Sequence, residues 1–322
     1  MKQKLSVAPT LKNYDKKNLP KDILAGIIIM AVSIPISMGY AQISGLPAVY
    51  GLYGSVFPII LFALFSTSPQ FIFGVDAAPA ALVGAAVLGM GIEAGSKEAM
   101  TVVPVFTFFV ALWLLAFYFM NAGKLVNYIS APVMGGFITG ICTTIILMQV
   151  PKLMGSAAGT GELFELSEHI WEALHHINAA ALVMGIVALA ILVVSKRLVP
   201  KFPMAVVLMV TGALFTYFGP VKEWGVPTLL AVEPGMPRWY IPDFEAVFSV
   251  QKASEVIVLS LSVAVVIMAE TLLAENNFAQ KNGYRIDDNT ELLAFSIGNM
   301  AAAFTGCCPI NGSMSRTAMS EQ

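Results

Sequence analysis

The sequence predicts an all-α polytopic membrane protein, and three observations carry that prediction. Composition is the first: 57% of the 322 residues are hydrophobic and 12% are charged, where a soluble domain carries about 25% charged residues. The second is a succession of apolar runs long enough to cross about 30 Å of hydrocarbon as helices. The third is that two runs are interrupted. Gly74-Val75-Asp76-Ala77-Ala78-Pro79-Ala80 and Gly306-Cys307-Cys308-Pro309-Ile310-Asn311-Gly312-Ser313-Met314-Ser315-Arg316-Thr317-Ala318 place glycine, proline and small hydroxyl residues where a lipid-embedded helix would continue. Unpaired backbone amides at membrane depth are tolerated only where the chain is buried in protein or lines a wet cavity. Two such breaks, in corresponding positions of two halves, point to the binding site of a secondary transporter.

In chain order, residues 1–21 form a polar cytoplasmic arm with six lysines. The first span, 23–40, carries Pro35 and Gly39 and lacks a cleavage-type ending, so it is retained rather than removed as a signal. The second span covers 51–65, after a loop at 44–48. Phe71-Ile72-Phe73 is too short to cross as a helix and reads as an extended entry into a half-helix over 77–90. Spans four to seven follow at 101–120, 131–149, 178–194 and 203–218, an eighth at 254–274 and a short ninth at 292–304. Asn311 opens a tenth, which stops at Gln322 roughly three turns on at about 3.6 residues per turn. A half-crossed helix leaves carbonyls unsatisfied, so either the natural protein is expected to continue or this chain is not a complete functional unit.

Cytoplasmic loops carry excess Lys and Arg. With the N-terminus inside, the inner segments hold Lys2, Lys4, Lys12, Lys16, Lys17, Lys21, Lys124, Lys196, Arg197, Lys201, Lys281 and Arg285. The outer loops hold only Lys97, Lys152, Lys222, Arg238 and Lys252, with most of the acids, including Glu162, Glu165, Glu168 and Glu172. A cytoplasmic N-terminus in a plasma (inner) membrane is therefore expected.

Several function classes are disfavoured. No GxxxxGK[ST] loop is present, which argues against ATP-driven pumping, and no Ser, His, Asp arrangement suggests a hydrolase, so we expect no enzyme and no cofactor. Basic residues are not gathered into a nucleic-acid footprint. Cys142, Cys307 and Cys308 are too few for a disulfide framework and read as small buried hydrophobes. His169, His175 and His176 lie among Glu165, Glu168 and Glu172 and read as a solvated amphipathic helix rather than a metal site. Phe106, Phe108, Phe109, Trp113, Phe117, Tyr118 and Phe119 read as lipid-facing packing and interfacial belt.

Three long motifs carry a family resemblance. The run Ile34-Pro35-Ile36-Ser37-Met38-Gly39-Tyr40-Ala41-Gln42-Ile43-Ser44-Gly45-Leu46-Pro47-Ala48-Val49-Tyr50-Gly51-Leu52-Tyr53-Gly54 resembles the first-span signature of the sulfate permease (SulP) family of anion transporters. Glu270-Thr271-Leu272-Leu273-Ala274, with Gly283-Tyr284-Arg285-Ile286-Asp287 and Asn289-Thr290-Glu291-Leu292, resembles its eighth span and following loop, and Gly312 to Ala318 its tenth-helix start. The resemblance implies fourteen spans in two inverted seven-span repeats, the UraA-like core/gate fold, with a dimer and usually a C-terminal STAS domain. On that plan residues 22–125 supply core-domain spans one to four, 126–252 gate-domain spans five to seven, and 253–322 an incomplete part of core-domain spans eight to ten.

The resemblance also places Ala77, Ala78, Gly312, Ser313 and Met314 at the family's substrate-site positions. The physical reason is general. A helix N-terminus exposes unpaired amides and an effective charge near about +0.5, so two aimed at one cavity attract an anion without a buried lysine. Ser313 and Ser315 offer hydroxyl donors, and Ile36, Tyr40 and Gln42 line the end of the first span, Ile36 standing where many relatives carry a polar Gln. Asp76 has two open readings: an N-cap, or a protonated carboxyl that couples substrate to a proton. Glu270 lies inside an apolar run and is either a coupling site for Na+ or H+ or half of an internal salt bridge to Arg316. Pairing with Glu270 or Asp76 is the expected role of Arg316.

The expected function is secondary active transport of small anions (sulfate, bicarbonate, chloride or dicarboxylate) by elevator-type alternating access, as symport through Glu270 in a homodimer. The alternatives are a nucleobase permease of the same fold, or a truncated, non-transporting membrane fragment that acts as an assembly partner.

Overall fold

The computed structural model describes residues 7–11, 14–128, 131–156, 159, 163–199, 204–221, 223–228, 236–237, 239–249 and 253–321. Lys2, Lys4, Lys12, Glu162, Lys201, Lys222, Arg238 and Lys252 of the charge reading lie outside these residues. Among the described residues, five runs are long and apolar enough to cross a membrane: Lys16–Ile43, Ala48–Phe65, Lys97–Phe119, Ala179–Leu198 and Ala253–Asn282.

Helix α1 is Leu19–Ile43, three residues longer at its far end than the sequence suggests. The second span is not continuous: α2 is Ala48–Tyr53 and α3 is Phe57–Phe65. Pro58 explains the break, because a proline offers no N–H and its ring crowds the carbonyl four residues back, while Val56 leaves the helical region at φ −113°, ψ −87°. Strand β1, Phe73–Gly74, then leads into α4, Ala77–Gly89, as the extended entry predicted. Helix α5 is Lys97–Phe119, started by Ser96, whose hydroxyl accepts from the Ala99 N–H at 3.1 Å.

Helices α6 (Ala131–Leu153), α7 (Leu163–His175), α8 (Ala179–Leu198), α9 (Met204–Phe218) and the short α10 (Phe244–Ser249) follow. Asn178 caps α8 through the Ala181 N–H and donates from its amide to the Trp224 carbonyl at 2.9 Å. Helix α11 is Ala253–Asn282, eight residues beyond the predicted end. The polar stretch 275–282 still favours helix, and the helix gives way to a turn at Gly283, which adopts φ +73°. Helix α12 is Asp288–Phe304, begun four residues early because Asp287 accepts from the Thr290 N–H at 2.8 Å. Strand β2, Asn311–Gly312, and α13, Met314–Ser320, close the described chain.

The core is built from α3, α5, α11 and α12 packed side by side. Phe62, Phe73 and Phe295 stack at its centre, with centroid spacings of 4.2 and 5.4 Å from Phe73 to its two neighbours. This corrects the lipid-belt reading for part of the α5 aromatics. Phe106 is fully buried, Phe108 meets Phe244 edge-on at 4.9 Å, and the Trp113 indole donates to the Ile257 carbonyl at 3.2 Å. Phe106, Phe109, Trp113 and Phe117, three or four residues apart, share one helix face and pack in the core formed with α11 and α12, whereas Phe119 at the end of α5 is 71% exposed. Two buried tethers hold α12 in place. Glu291 accepts from the Thr67 N–H and hydroxyl, and Asn299 bonds both the N–H and the carbonyl of Ile310 at 2.9 and 3.0 Å.

Two smaller readings also change. Cys307 and Cys308 are buried, but Cys142 on α6 is exposed. Helix α7 is amphipathic but not simply solvated: Phe164 and Trp171 are 88% and 65% exposed, while Leu166 and Ala173 are buried.

Candidate functional site

The two interrupted segments meet. Strands β1 and β2 pair antiparallel in the register Phe73↔Gly312 and Gly74↔Asn311, and each is followed within a few residues by a helix start, Ala77 for α4 and Met314 for α13. The Ile72 carbonyl accepts the Ser313 N–H at 2.8 Å, and the Thr317 hydroxyl accepts the Ile72 N–H at 3.0 Å while donating to the Ser313 carbonyl. Two helices wall this junction. Helix α11 contributes Thr271, whose hydroxyl accepts the Gly312 N–H at 3.1 Å, and α1 contributes Ser33.

These bonds decide which amides are free. The N–H groups of Gly312 and Ser313 are occupied by protein acceptors, and that of Ala77 is held at 2.7 Å by the Asp76 carboxylate. Pro79 has none. Among the described residues, no acceptor meets the N–H groups of Ala78 on α4 and of Met314, Ser315 and Arg316 on α13. Ala78 and Met314 are among the positions named from the sequence; Ala77, Gly312 and Ser313 drop out of the donor set, and Ser315 and Arg316 extend it two residues into α13. Met314 and Ser315 are exposed, whereas Gly312 and Ser313 are buried. The Ser313 and Ser315 hydroxyls lie 3.4 Å apart.

Charge is concentrated beneath the same junction. Arg316 is fully buried: its Nη2 donates to the Val75 carbonyl at 2.9 Å and reaches the Asp76 carboxylate at 3.5 Å, and its Nη1 reaches the Ser33 hydroxyl at 3.5 Å. Among the described residues its Nε has no partner. Arg316 thus pairs with Asp76 and not with Glu270. Glu270, half-buried on α11, instead accepts from the Asn311 amide at 3.0 Å, because β2 interposes Asn311 between them. Asp76 caps α4 as expected of an Asp before a helix and carries the ion pair as well. Tyr40 lies within electrostatic reach of Asp76, Arg316 and Cys142. Ile36 is half-buried on α1, and Gln42 is exposed and faces a separate cavity between α1, α6 and α7 rather than the junction. Among the described residues, no group of three His, Cys, Asp or Glu side chains could hold a metal ion.

Sequence reading missed Gly74, Thr271, Asn311 and Ser33. Gly74 had a legible signal, a glycine beside a helix start: a Cβ there would meet Arg316 Nη1 at 3.2 Å, so its absence makes room for the guanidinium. The other three are ordinary polar residues whose roles exist only through contacts distant in sequence.

The profile of the sulfate permease family matches residues 19–322. The chain belongs to the sulfate permease family. It is an integral membrane protein of a transporter family, with the transmembrane fold of that group. It is 26% identical over 324 residues to sulfate transporter 2.1 of Arabidopsis thaliana, covering 96% of this chain and 47% of that one. It is also 26% identical over 310 residues to a probable sulfate transporter of Mycobacterium tuberculosis, covering 96% and 54%. The chain thus spans about half the length of these curated relatives. The structure superposes on murine Slc26a9, an anion transporter in the inward-facing state, with a TM-score of 0.84 at 23% identity, over 98% of this chain and 55% of that one. The transmembrane domain of the cyanobacterial bicarbonate transporter BicA gives 0.79 at 19%, over 96% and 78%.

Proposed function

We propose that this chain is the substrate-holding part of a secondary transporter of small anions such as sulfate, bicarbonate, chloride or a dicarboxylate. The observation that carries the reading is the β1–β2 pairing, which brings two helix starts with free N–H groups together above a buried arginine. Helix N-termini bind anions through such amides and through the aligned peptide dipoles, and buried Arg316 offsets the Asp76 carboxylate that would otherwise repel the ligand. The names of the relatives, sulfate and bicarbonate transporters among them, agree with that ligand class.

The reading extends to mechanism. Residues 22–125 and 253–322 act as a core that carries the site, 126–252 act as a gate, and the core moves across the membrane in an elevator-like step. The packing supports this division, since α11 and α12 are bound to α3 and α5 while α6 and α8 meet few core elements. Glu270 couples the movement to Na+ or H+. The protein works as a homodimer in the plasma (inner) membrane with a cytoplasmic N-terminus.

The test is uptake of labelled sulfate, bicarbonate, chloride and dicarboxylates by proteoliposomes holding the full-length protein. Saturable uptake of at least one, insensitive to uracil, is expected. Uptake of none above protein-free vesicles, or competition by uracil alone, overturns the reading.

A further inference from the structure

A cavity of about 1070 Å³ opens between α1, the end of α4, α6 and α7. One of its walls is a single face of α1, formed by Pro35, Met38, Gly39 and Gln42. Those residues span about 10 Å of helix axis at ~1.5 Å per residue. The inner end of that wall is two residues from Ser33, which Arg316 touches, so the cavity runs from the level of the paired helix starts toward the end of the molecule opposite the N-terminus.

The charged and titratable groups that line it are few. The α4–α5 turn presents Glu93, α6 presents Lys152, and α7 with the residue after it presents His169, Glu172 and His176. The remaining lining from α1, α4, α8 and residues 226–228 is uncharged. Counted over the described residues, one lysine against two carboxylates leaves one net negative charge, and two added imidazolium charges turn it into one net positive charge. Histidine is the side chain that changes charge between pH 5 and 8. His175 differs. Its ring bonds the Trp171 carbonyl at 2.8 Å and packs edge-on against the Trp171 ring, away from the cavity.

The geometry points to an anion-collecting vestibule whose sign is set by His169 and His176: it repels anions at neutral pH and gathers them on acidification. This rests on the anion-transport reading for its ligand, and it assigns α7 a task beyond covering α6.

The local potential can be read without transport. The full-length protein is prepared with Cys142→Ala, because that native thiol is exposed, and with Gly39→Cys, where an added Cβ meets nothing within 4 Å. Met38→Cys serves the same end if the glycine variant folds poorly. The thiol is labelled by membrane-impermeant methanethiosulfonates bearing either a sulfonate or a trimethylammonium, and the ratio of their rates cancels the pH dependence of the thiol itself. Two added charges roughly 8 Å away in a water-like medium, with a Debye length of about 8 Å, shift that ratio roughly fourfold. We expect the ratio to rise by that amount between pH 7.5 and 5.5, to stay flat in His169→Gln/His176→Gln, and to rise normally in His175→Gln. A flat ratio in the parent, or a rise that survives the double substitution, overturns the proposal. In uptake assays the half-saturating anion concentration should fall with pH in the parent only. A labelling response without any uptake removes the transport reading and leaves the charge switch standing, and uptake whose half-saturation ignores the double substitution removes the vestibule role.

Discussion

Replacing Gly312 by alanine tests the junction on which the site depends. A Cβ at this position would sit 2.0 Å from Phe71 Cε1 and 2.6 Å from Thr271 Cγ2, where ordinary contacts are 3.4–4 Å. The Phe71 ring must retreat by more than 1 Å, yet it is buried and packed against Phe278 at 6.0 Å. Overpacking of this kind costs roughly 1–3 kcal/mol. If β2 moves instead, the Gly312 N–H loses the Thr271 hydroxyl, which adds about 1 kcal/mol. We therefore expect a loss of roughly 2–4 kcal/mol in stability, with anion uptake reduced further because Met314 to Arg316 shift with the strand. The measurements are thermal unfolding in detergent and labelled uptake, with Gly26→Ala on the exposed, open side of α1 as the control. Phe71→Leu should recover part of the loss when combined with Gly312→Ala. A Gly312→Ala protein that melts and transports like the parent would show that the tight β1–β2 pairing does not hold the site.

Arg316→Met should cost about 3 kcal/mol of stability and weaken anion affinity at least tenfold, since it strands Asp76 beside the ligand; Arg316→Lys should not restore affinity, because one ammonium nitrogen cannot stand at both positions from which Nη2 reaches Val75 and Asp76 and Nη1 reaches Ser33. Calorimetric anion titration decides between these outcomes. Thr67→Val removes a hydroxyl donor from buried Glu291 and should lower stability by roughly 1.5–3 kcal/mol, with Glu291→Gln in the same chain recovering part of it in denaturant titrations. Glu270→Gln should abolish the Na+ or pH dependence of uptake while Asp76→Asn keeps it, and unchanged ion dependence in both would remove the coupling assignment.

Much of this protein is legible in its residue order, and the illegible parts share a cause. Apolar runs announce helices because hydrocarbon enforces them, and Asp76 and Asp287 announce helix starts because a short carboxylate suits an N-cap. The meeting of residues 74–80 with 306–318 was readable as paired breaks, since only a shared need for buried backbone explains two of them. The choice of partner for Arg316 was not readable. Asp76 and Glu270 are both acids within reach of the junction, and the decision rests with Asn311, whose amide takes Glu270 through a strand of two residues. The free amides were similarly hidden, because Thr271 and Ile72 remove two of them through contacts 41 and 241 residues apart in sequence. The inward turn of part of the α5 aromatics was also concealed. A run rich in Phe and Trp satisfies lipid and protein equally, and only the neighbours α11 and α12 choose between them.

The charges at the junction constrain how such a site can work. Arg316 and Asp76 offset each other, and Glu270 stands within electrostatic reach of Asp76, held on one oxygen by a neutral amide. With all three ionised the pocket carries one net negative charge, and the two partial positive helix ends must overcome it before an anion can enter. Any cation that settles on Glu270 removes that opposition. The same interaction acts in reverse, since an anion at the helix ends makes a cation on Glu270 more favourable by an equal free energy. On the proposed reading, coupling of the two ligands would follow from placing Glu270 beside an already balanced ion pair, with no conformational signal between distant sites. A site with Arg316 paired to Glu270 would have lost that property, because its cation would be built in. The two-residue strand that brings Asn311 to Glu270 gives the carboxylate a neutral partner among the described residues, which is what the proposed cation exchange at Glu270 requires.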